Sequence, residues 1–239
     1  MPAEGPAATA TAVPAPGGRS AADKARLKRW RRVSHLAVWA LTLTPAAVTL
    51  AHAFTNRLGV NPIETLTDRT GWWAIFHLVL TLAVTPLRRL TGWHWLVRYR
   101  RQLGLGAFVY ASLHLGVYAV LDLGLDLSHL GEDILERPFV TVGFTAWLIL
   151  LALAITSTNG WIRRLGRRWT LLHRLVYVAA GLVSLHFVWG QKTLQAEPLL
   201  FAAGFAVLLG ARVVLTLRRR RAARAPPAGR APAMGDGTS

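Results

Sequence analysis

Three histidines, His114, His173 and His186, sit within stretches of Leu, Val, Ala and Gly that are apolar enough for a lipid bilayer. An imidazole in hydrocarbon is costly unless bonded, so such residues are candidates for a metal, a cofactor or a proton path. The sequence contains no cysteine, which excludes thiolate-held clusters, disulfides and cysteine nucleophiles. No carboxylate accompanies the three histidines inside the apolar runs, so a zinc site with four ligands, or three plus water, is poorly served. Haem asks the protein for only one or two axial ligands, and its ring fills an apolar slot between helices. Small residues that could line such a slot flank the histidines: Gly104, Gly106, Ala107, Ala111 and Gly116 around His114, and Ala179, Ala180, Gly181 and Ser184 before His186. The competing reading is that these residues let helices approach closely while the histidines bond neighbouring hydroxyls.

Depth decides which histidines can act together. His173 lies about five residues inside the basic end of its run, roughly 7 Å deep, and His186 lies about 13 residues further, roughly 20 Å away. One metal cannot bind both. His114 lies about 13 residues from the basic end of its own run, nearer the depth of His186. A pair of His114 with His186 can therefore hold one iron, leaving His173 to a second site nearer the basic face. On an ideal helix His173 and His186 point roughly 140° apart. Either the helix is irregular near Gly181, or the two face different partners. Of the remaining five, His35 and His52 lie near the ends of the first run and can reach headgroup water. His94 and His129 fall in loops and are expected to be solvated, and His77, about two turns into the second run, is a weaker ligand candidate.

The elements that carry these residues follow from composition. The 239 residues are 53% hydrophobic and include ten tryptophans, with a formal net charge of +17. The apolar residues form long unbroken runs rather than alternating with polar ones, at approximately 33–54, 71–87, 102–121, 138–157, 168–192 and 198–217. Each is long enough for a hydrocarbon core of about 30 Å. The expected fold is an all-α membrane protein, a six-helix transmembrane bundle over residues 30–217, with polar or basic disordered tails at 1–29 and 218–239. No repeat at a fixed period and no second, soluble domain is expected. Arginines cluster before the first run, at 88–101, at 163–168 and after the sixth, while the alternate loops are poor in them. Basic loops stay cytoplasmic, which puts both termini on the cytoplasmic side of the cell inner membrane. The first basic cluster follows a polar tail and precedes a full-length span, so the first span reads as an uncleaved anchor. With the arginines serving topology, nucleic acid is not an expected partner, whereas membrane lipid is.

Several blocks are long and specific: DRTGWWAIFHLVLTLAVTPLRRL, VRYRRQLGLGAFVYASLHLGVYAVLDLG, RPFVTVGFTAWLILLALAITST and RRLGRRWTLLHRLVYVAAGLVSLHFVWGQK. Through them the chain resembles the MsrQ (YedZ) family, within the ferric reductase-like transmembrane superfamily, over about residues 30–217. The resemblance implies an electron conduit. Electrons from the quinol pool, or from a cytoplasmic flavin reductase, would pass through one or two b haems to a periplasmic molybdopterin-containing methionine sulfoxide reductase that repairs oxidised proteins. The family's haem-linked histidines match His114, His173 and His186. The superfamily generally carries two histidines on its third span, here one, so the resemblance assigns His173 no partner. The family is also described as binding flavin mononucleotide (FMN). Arg98, Arg100 and Arg101 are the natural anchor for its phosphate, although they serve equally as topology-fixing arginines at lipid headgroups.

On this reading the chain is an electron-transfer subunit and not the catalytic subunit. It has no Ser–His–Asp set, Walker loop or dinucleotide fingerprint, and the Gly-rich LGLGAF at 103–108 opens a membrane span and follows no strand. The main alternative, a ferric or other metal-ion reductase, usually carries a cytoplasmic flavin and nicotinamide domain, for which residues 218–239 are too few. A third reading, a transporter with a histidine proton relay, would show no visible haem absorption. Between the third and fourth spans Asp122, Asp126, Glu132, Asp133 and Glu136 face a single Arg137. That segment reads either as a solvated loop or as a docking face for a basic periplasmic partner, with Glu132 and Asp133 as its test residues.

Overall fold

A computed structural model describes residues 20–190 and 196–224, and every regular element among the described residues is helical. The helices are α1 (Ala21–Phe54), α2 (Pro62–Thr91), α3 (Arg100–Val117), α4 (Leu127–Glu136), α5 (Pro138–Ile155), α6 (Asn159–Leu165), α7 (Arg167–Leu172), α8 (Leu175–Gly190) and α9 (Ala196–Arg224). A 3₁₀ segment, His94–Arg98, precedes α3, and a π turn, Tyr118–Asp122, ends it. Six segments are long and apolar enough to cross a membrane: α1, α2, α3 with its π turn, α5, α7 with α8, and α9. The expected six-span helical bundle is present. The segments 1–19 and 225–239, and the short loop holding Gln191 and Lys192, lie outside the described residues.

Two ends differ from the expected tails. Helix α1 begins at Ala21, inside the segment expected to be disordered, because the Ser20 hydroxyl accepts from the Asp23 amide and Asp23 places a negative charge in the first turn. Helix α9 continues past residue 217 to Arg224, through arginines and alanines that favour helix. Elsewhere the boundaries follow local chemistry. Asn61 caps α2 with Pro62 at its first position, and Gly92, at φ 74°, ends it in the left-handed conformation.

The fifth span is not one helix. Helix α7 stops at Leu172, His173 and Arg174 form a turn, and α8 starts at Leu175. Tight hydrogen bonds from the Arg174 amide to Leu171 O and from the Tyr177 amide to Arg174 O rewind the chain there. Of the two alternatives left open, an irregularity near Gly181 or different partner helices, the first is met in kind but not in place: the break lies at His173 itself. The wheel angle between His173 and His186 therefore does not apply.

Helix α2 packs along α3 and α5 along α8, with α9 across α8 and α2. Where they meet lies the core, built from Ile75, Leu78 and Leu82 of α2, Ala107 of α3, Leu150 of α5, Ala179 and Ala180 of α8, and Phe205 of α9. Leu36, Leu148, Leu200 and Val207 remain on the outside, as apolar surface does in a helix bundle whose solvent is lipid. Helix α1 is joined to the rest through a defect. Pro45 has no amide to donate and disturbs the turn around it. The Tyr110 hydroxyl of α3 inserts there, donating to Thr42 O (2.7 Å) and accepting from the Ala46 amide (3.0 Å).

Candidate functional site

At the acidic end of the bundle, His114 of α3 and His186 of α8 face one another with ring centroids 6.1 Å apart and ring planes 83° apart. Each ring is held from behind by a backbone carbonyl. His114 Nδ1 lies 2.9 Å from Thr67 O of α2, and His186 Nδ1 lies 2.8 Å from Phe139 O of α5. A carbonyl oxygen only accepts, so both Nδ1 atoms carry the proton and both Nε2 atoms are left with a lone pair. This is how a metal-ligating imidazole is commonly oriented. Two imidazoles on opposite faces of one metal, with bonds of about 2 Å, have centres about 6 Å apart, the separation seen here.

Glycines make the room. A Cβ at Gly143 would lie 2.6 Å from His186 Nδ1, and one at Gly71 would lie 3.1 Å from His114 Nδ1. These two glycines escape notice in the sequence because they lie on α2 and α5, not beside the histidines. The small residues expected to form a slot divide differently. Ala107, Ala179 and Ala180 are fully buried in the core, Gly106 makes space for His77 and Thr42, and Gly116 and Gly181 have open space at the Cβ position.

The same arrangement therefore occurs twice. Each histidine bonds a carbonyl 47 residues earlier, over a glycine one helical turn beyond that carbonyl. Thr67, Gly71, Ala107 and the triplet Ser112–His114 correspond at one constant offset to Phe139, Gly143, Ala179 and Ser184–His186. The expectation of no fixed-period repeat is thus corrected. The α2–α3 and α5–α8 pairs form an internal repeat, masked in the sequence because lipid-facing positions tolerate any apolar residue. At this offset the counterpart of His173 is Arg101, which accounts for the single histidine on α3.

His173 lies at the basic end, on the wall of a cavity of about 1140 Å³ between α2, α3, α5, α8 and α9. Its Nδ1 bonds Trp169 O (3.2 Å), and its ring stacks on Trp169 at 3.9 Å. Its Nε2 is buried and has no hydrogen-bond partner. The structure thus leaves one ring nitrogen without a hydrogen-bond partner, on a residue that lines a space large enough for a planar cofactor. Arg100 and Arg101 line this cavity with Arg174 and Arg212, whereas Arg98 is exposed and does not. The three expected arginines are therefore not brought together, and Arg212, on an apolar helix, was not expected at all. No cluster of three or more His, Asp or Glu side chains with metal-binding geometry occurs among the described residues.

The other histidines are accounted for by protein partners. His77 is buried, donates Nδ1 to Trp73 O (2.8 Å) and stacks on Tyr110. His35 bonds Gln102 Oε1 (2.6 Å), and His52 bonds Arg69 (3.1 Å). His94 is exposed at the start of the 3₁₀ segment. His129 is exposed but sits on helix α4, not in a loop, and its Nδ1 pairs with Asp126 at 2.8 Å.

The acidic segment is a helix as well. Asp126 caps α4 by accepting from the Ser128 and His129 amides. Bonds from the Ser128 hydroxyl and the His129 ring, with the two amides behind them, hold its carboxyl well below the usual carboxylate range, while the Asp126 carboxylate raises His129. Asp133 accepts from the Tyr118 hydroxyl and pairs with Arg137 at 3.0 Å, which ties α4 to the end of α3 and the start of α5. Of the acidic residues of α4, Glu132 and Glu136 face outward without such roles.

Residues 70–184 match the family described as ferric reductase like transmembrane component. The protein-methionine-sulfoxide reductase heme-binding subunit MsrQ of Ralstonia nicotianae is 50% identical over 185 residues, covering 76% of this chain and 85% of the relative. The protein of the same name from Xanthomonas euvesicatoria pv. vesicatoria is 51% identical over 174 residues, 72% of this chain and 80% of the relative. That of Herminiimonas arsenicoxydans is 49% identical over 170 residues, 70% and 78% of the two chains. With six apolar helices and these relatives, the protein is a multi-pass membrane redox subunit, and it belongs to the MsrQ heme-binding subunit family.

Proposed function

We propose that this subunit carries electrons across the cell inner membrane to a periplasmic, molybdopterin-containing methionine sulfoxide reductase, through b-type haem held by its histidines. Haem supplies an iron that changes oxidation state by one electron without covalent attachment to the chain. His114 and His186 would hold its iron at the acidic end, with Thr67 O and Phe139 O fixing both rings and Gly71 and Gly143 admitting them. The observation that carries this reading is the facing pair itself: two carbonyl-held imidazoles with centres 6.1 Å apart.

His173 would serve a second cofactor in the cavity at the basic end. Electrons enter there, from quinol or a cytoplasmic flavin reductase, because the arginine-rich end faces the cytoplasm by the positive-inside rule. Both termini then lie in the cytoplasm and α4 lies in the periplasm. Its outward Glu132 and Glu136 would meet a basic face of the partner. FMN, as the family resemblance suggests, fits the same end, with Arg100 and Arg101 on the cavity wall and Arg98 outside it.

Haem content of purified variants tests the assignment. His114→Ala or His186→Ala removes the acidic-end haem, since each axial bond helps hold an untethered cofactor. His173→Ala leaves that absorption in place and disturbs the other centre. Full haem and unshifted spectra in all three variants would overturn the assignment and turn attention to His77.

A further inference from the structure

Arg212 lies within the span Ala196–Arg218, yet it turns inward and not toward lipid. Its Nη2 donates to Thr85 Oγ1 of α2 (3.1 Å), and its guanidinium lies 4.9 Å from the Tyr177 ring centroid of α8. A topology-fixing arginine would extend to the headgroups, whereas an intramembrane charge facing the bundle marks a ligand path or site. Arg100 of α3 lines the same cavity as Arg212 and His173, and Arg89, at the end of α2 behind that lining, is near enough for its charge to act on Arg212. Arg89 Nε and Nη1 are buried without a hydrogen-bond partner.

No carboxylate among the described residues forms an ion pair with these groups. Among the described residues the ion pairs are His129–Asp126 and Arg137–Asp133, both at α4 on the opposite end. Like charges gathered in a low-dielectric interior repel one another, and a removed or missing counter-charge is costly. Guanidinium groups offer paired donors matched to a carboxylate or phosphate.

We propose that Arg89, Arg100 and Arg212 form an oxyanion-binding site at the basic end of the cavity, holding the acid groups of a planar redox cofactor seated against His173. This rests on the reading of His173 as a cofactor site. Two sources share the chemistry, the carboxylates of a haem and the phosphate of FMN. The site differs from the expected arginine set in replacing the exposed Arg98, and Arg101, whose Nη1 is turned to Asn159 (3.5 Å), with Arg89 and Arg212.

The test uses the full-length protein in mild detergent, with haem and flavin counted separately per chain in wild type, Arg89→Gln, Arg212→Gln, Arg212→Lys and His173→Ala. Arg89→Gln and Arg212→Gln are expected to keep the spectrum of the His114–His186 centre and to lose the inner cofactor. Their affinity for the re-added cofactor should fall roughly tenfold or more, the loss of one charge-assisted bond. Loss of haem assigns the anion to its carboxylates, and loss of flavin with full haem assigns it to phosphate. Arg212→Lys, which keeps the charge but not the fork, should fall between wild type and the Gln variant, and it serves as the test if the Gln variants do not fold. Wild-type stoichiometry and affinity in the arginine variants would overturn the site. If instead wild type holds one haem and no flavin and His173→Ala changes nothing, the inner cofactor reading itself fails.

Discussion

A methyl group added at Gly143 would lie 2.6 Å from His186 Nδ1, closer than the ring can tolerate without moving. At Gly71 the corresponding distance, 3.1 Å from His114 Nδ1, asks the ring to give only slightly. The two glycines therefore rank the two faces of the pair. Gly143→Ala is expected to displace the His186 imidazole from its carbonyl, with an overpacking cost of about 1–3 kcal/mol. It should lower haem content well below that of Gly71→Ala, read as visible absorbance per chain. Equal and full haem in both alanine variants would show that neither glycine seats an imidazole. The histidines were legible in the sequence from their type and depth, but the glycines were not. Their role depends on which helix lies opposite, which a linear sequence does not state.

At the scale of elements, the Pro45 turn of α1 and the outer helix α4 each depend on side chains from a neighbour. The Tyr110 hydroxyl supplies both a donor and an acceptor to the opened turn at Thr42 and Ala46. Tyr110→Phe should leave polar groups of that turn unpaired, at a cost of about 1–3 kcal/mol for a buried group. A lower thermal midpoint in detergent, with haem content unchanged, would be the signature; an unchanged midpoint would mean that the turn closes on itself. For α4 the sign of the pH dependence follows from its cap. Asp126 is held low, so its contribution is present above the free carboxylate pKa of about 4 and is lost as pH falls through its folded value. His129 is raised, so its contribution is present below about 6.5 and is lost as pH rises through its folded value. Amide exchange at Ser128 and His129 should accordingly be slowest between about pH 4 and 6.5, by a small margin because both groups face water. Exchange that quickens steadily on acidification within that window, after correction for intrinsic rates, would contradict it. Partner docking is tested on the same helix by reversing Glu132 and Glu136. Asp133 is unsuitable, because its bonds to Tyr118 and Arg137 hold α4 in place. Reversal should slow electron delivery at low salt with haem content intact, and equal rates there would remove α4 from the docking face.

For the whole molecule, six spans return the chain to the side on which it started. The basic segments at 24–32, 88–101, 163–168 and 218–221 all lie at one end, opposite α4. Reporter or protease accessibility at 126–133 is expected from the periplasm, and at 159–166 from the cytoplasm. The opposite result would exchange the two faces and reverse the proposed direction of electron flow.

The sequence by itself determined the class, the number of spans and the histidines worth attention, because all three are local properties. A bilayer reads hydrophobic length and flanking arginine directly, and an imidazole amid Leu and Val stands out wherever it lies. Tertiary structure alone decided the rest. It supplied the carbonyls and glycines of two other helices that hold the His114–His186 pair already expected from depth, and it broke the fifth span at His173 rather than near Gly181. It also turned Arg212 inward and Arg98 outward, and it made visible a repeat that the apolar positions conceal. These features rest on which helix faces which, set by packing between segments far apart in the chain. Lipid-facing residues interchange freely, so the pattern that fixes such packing is thinly written in the sequence.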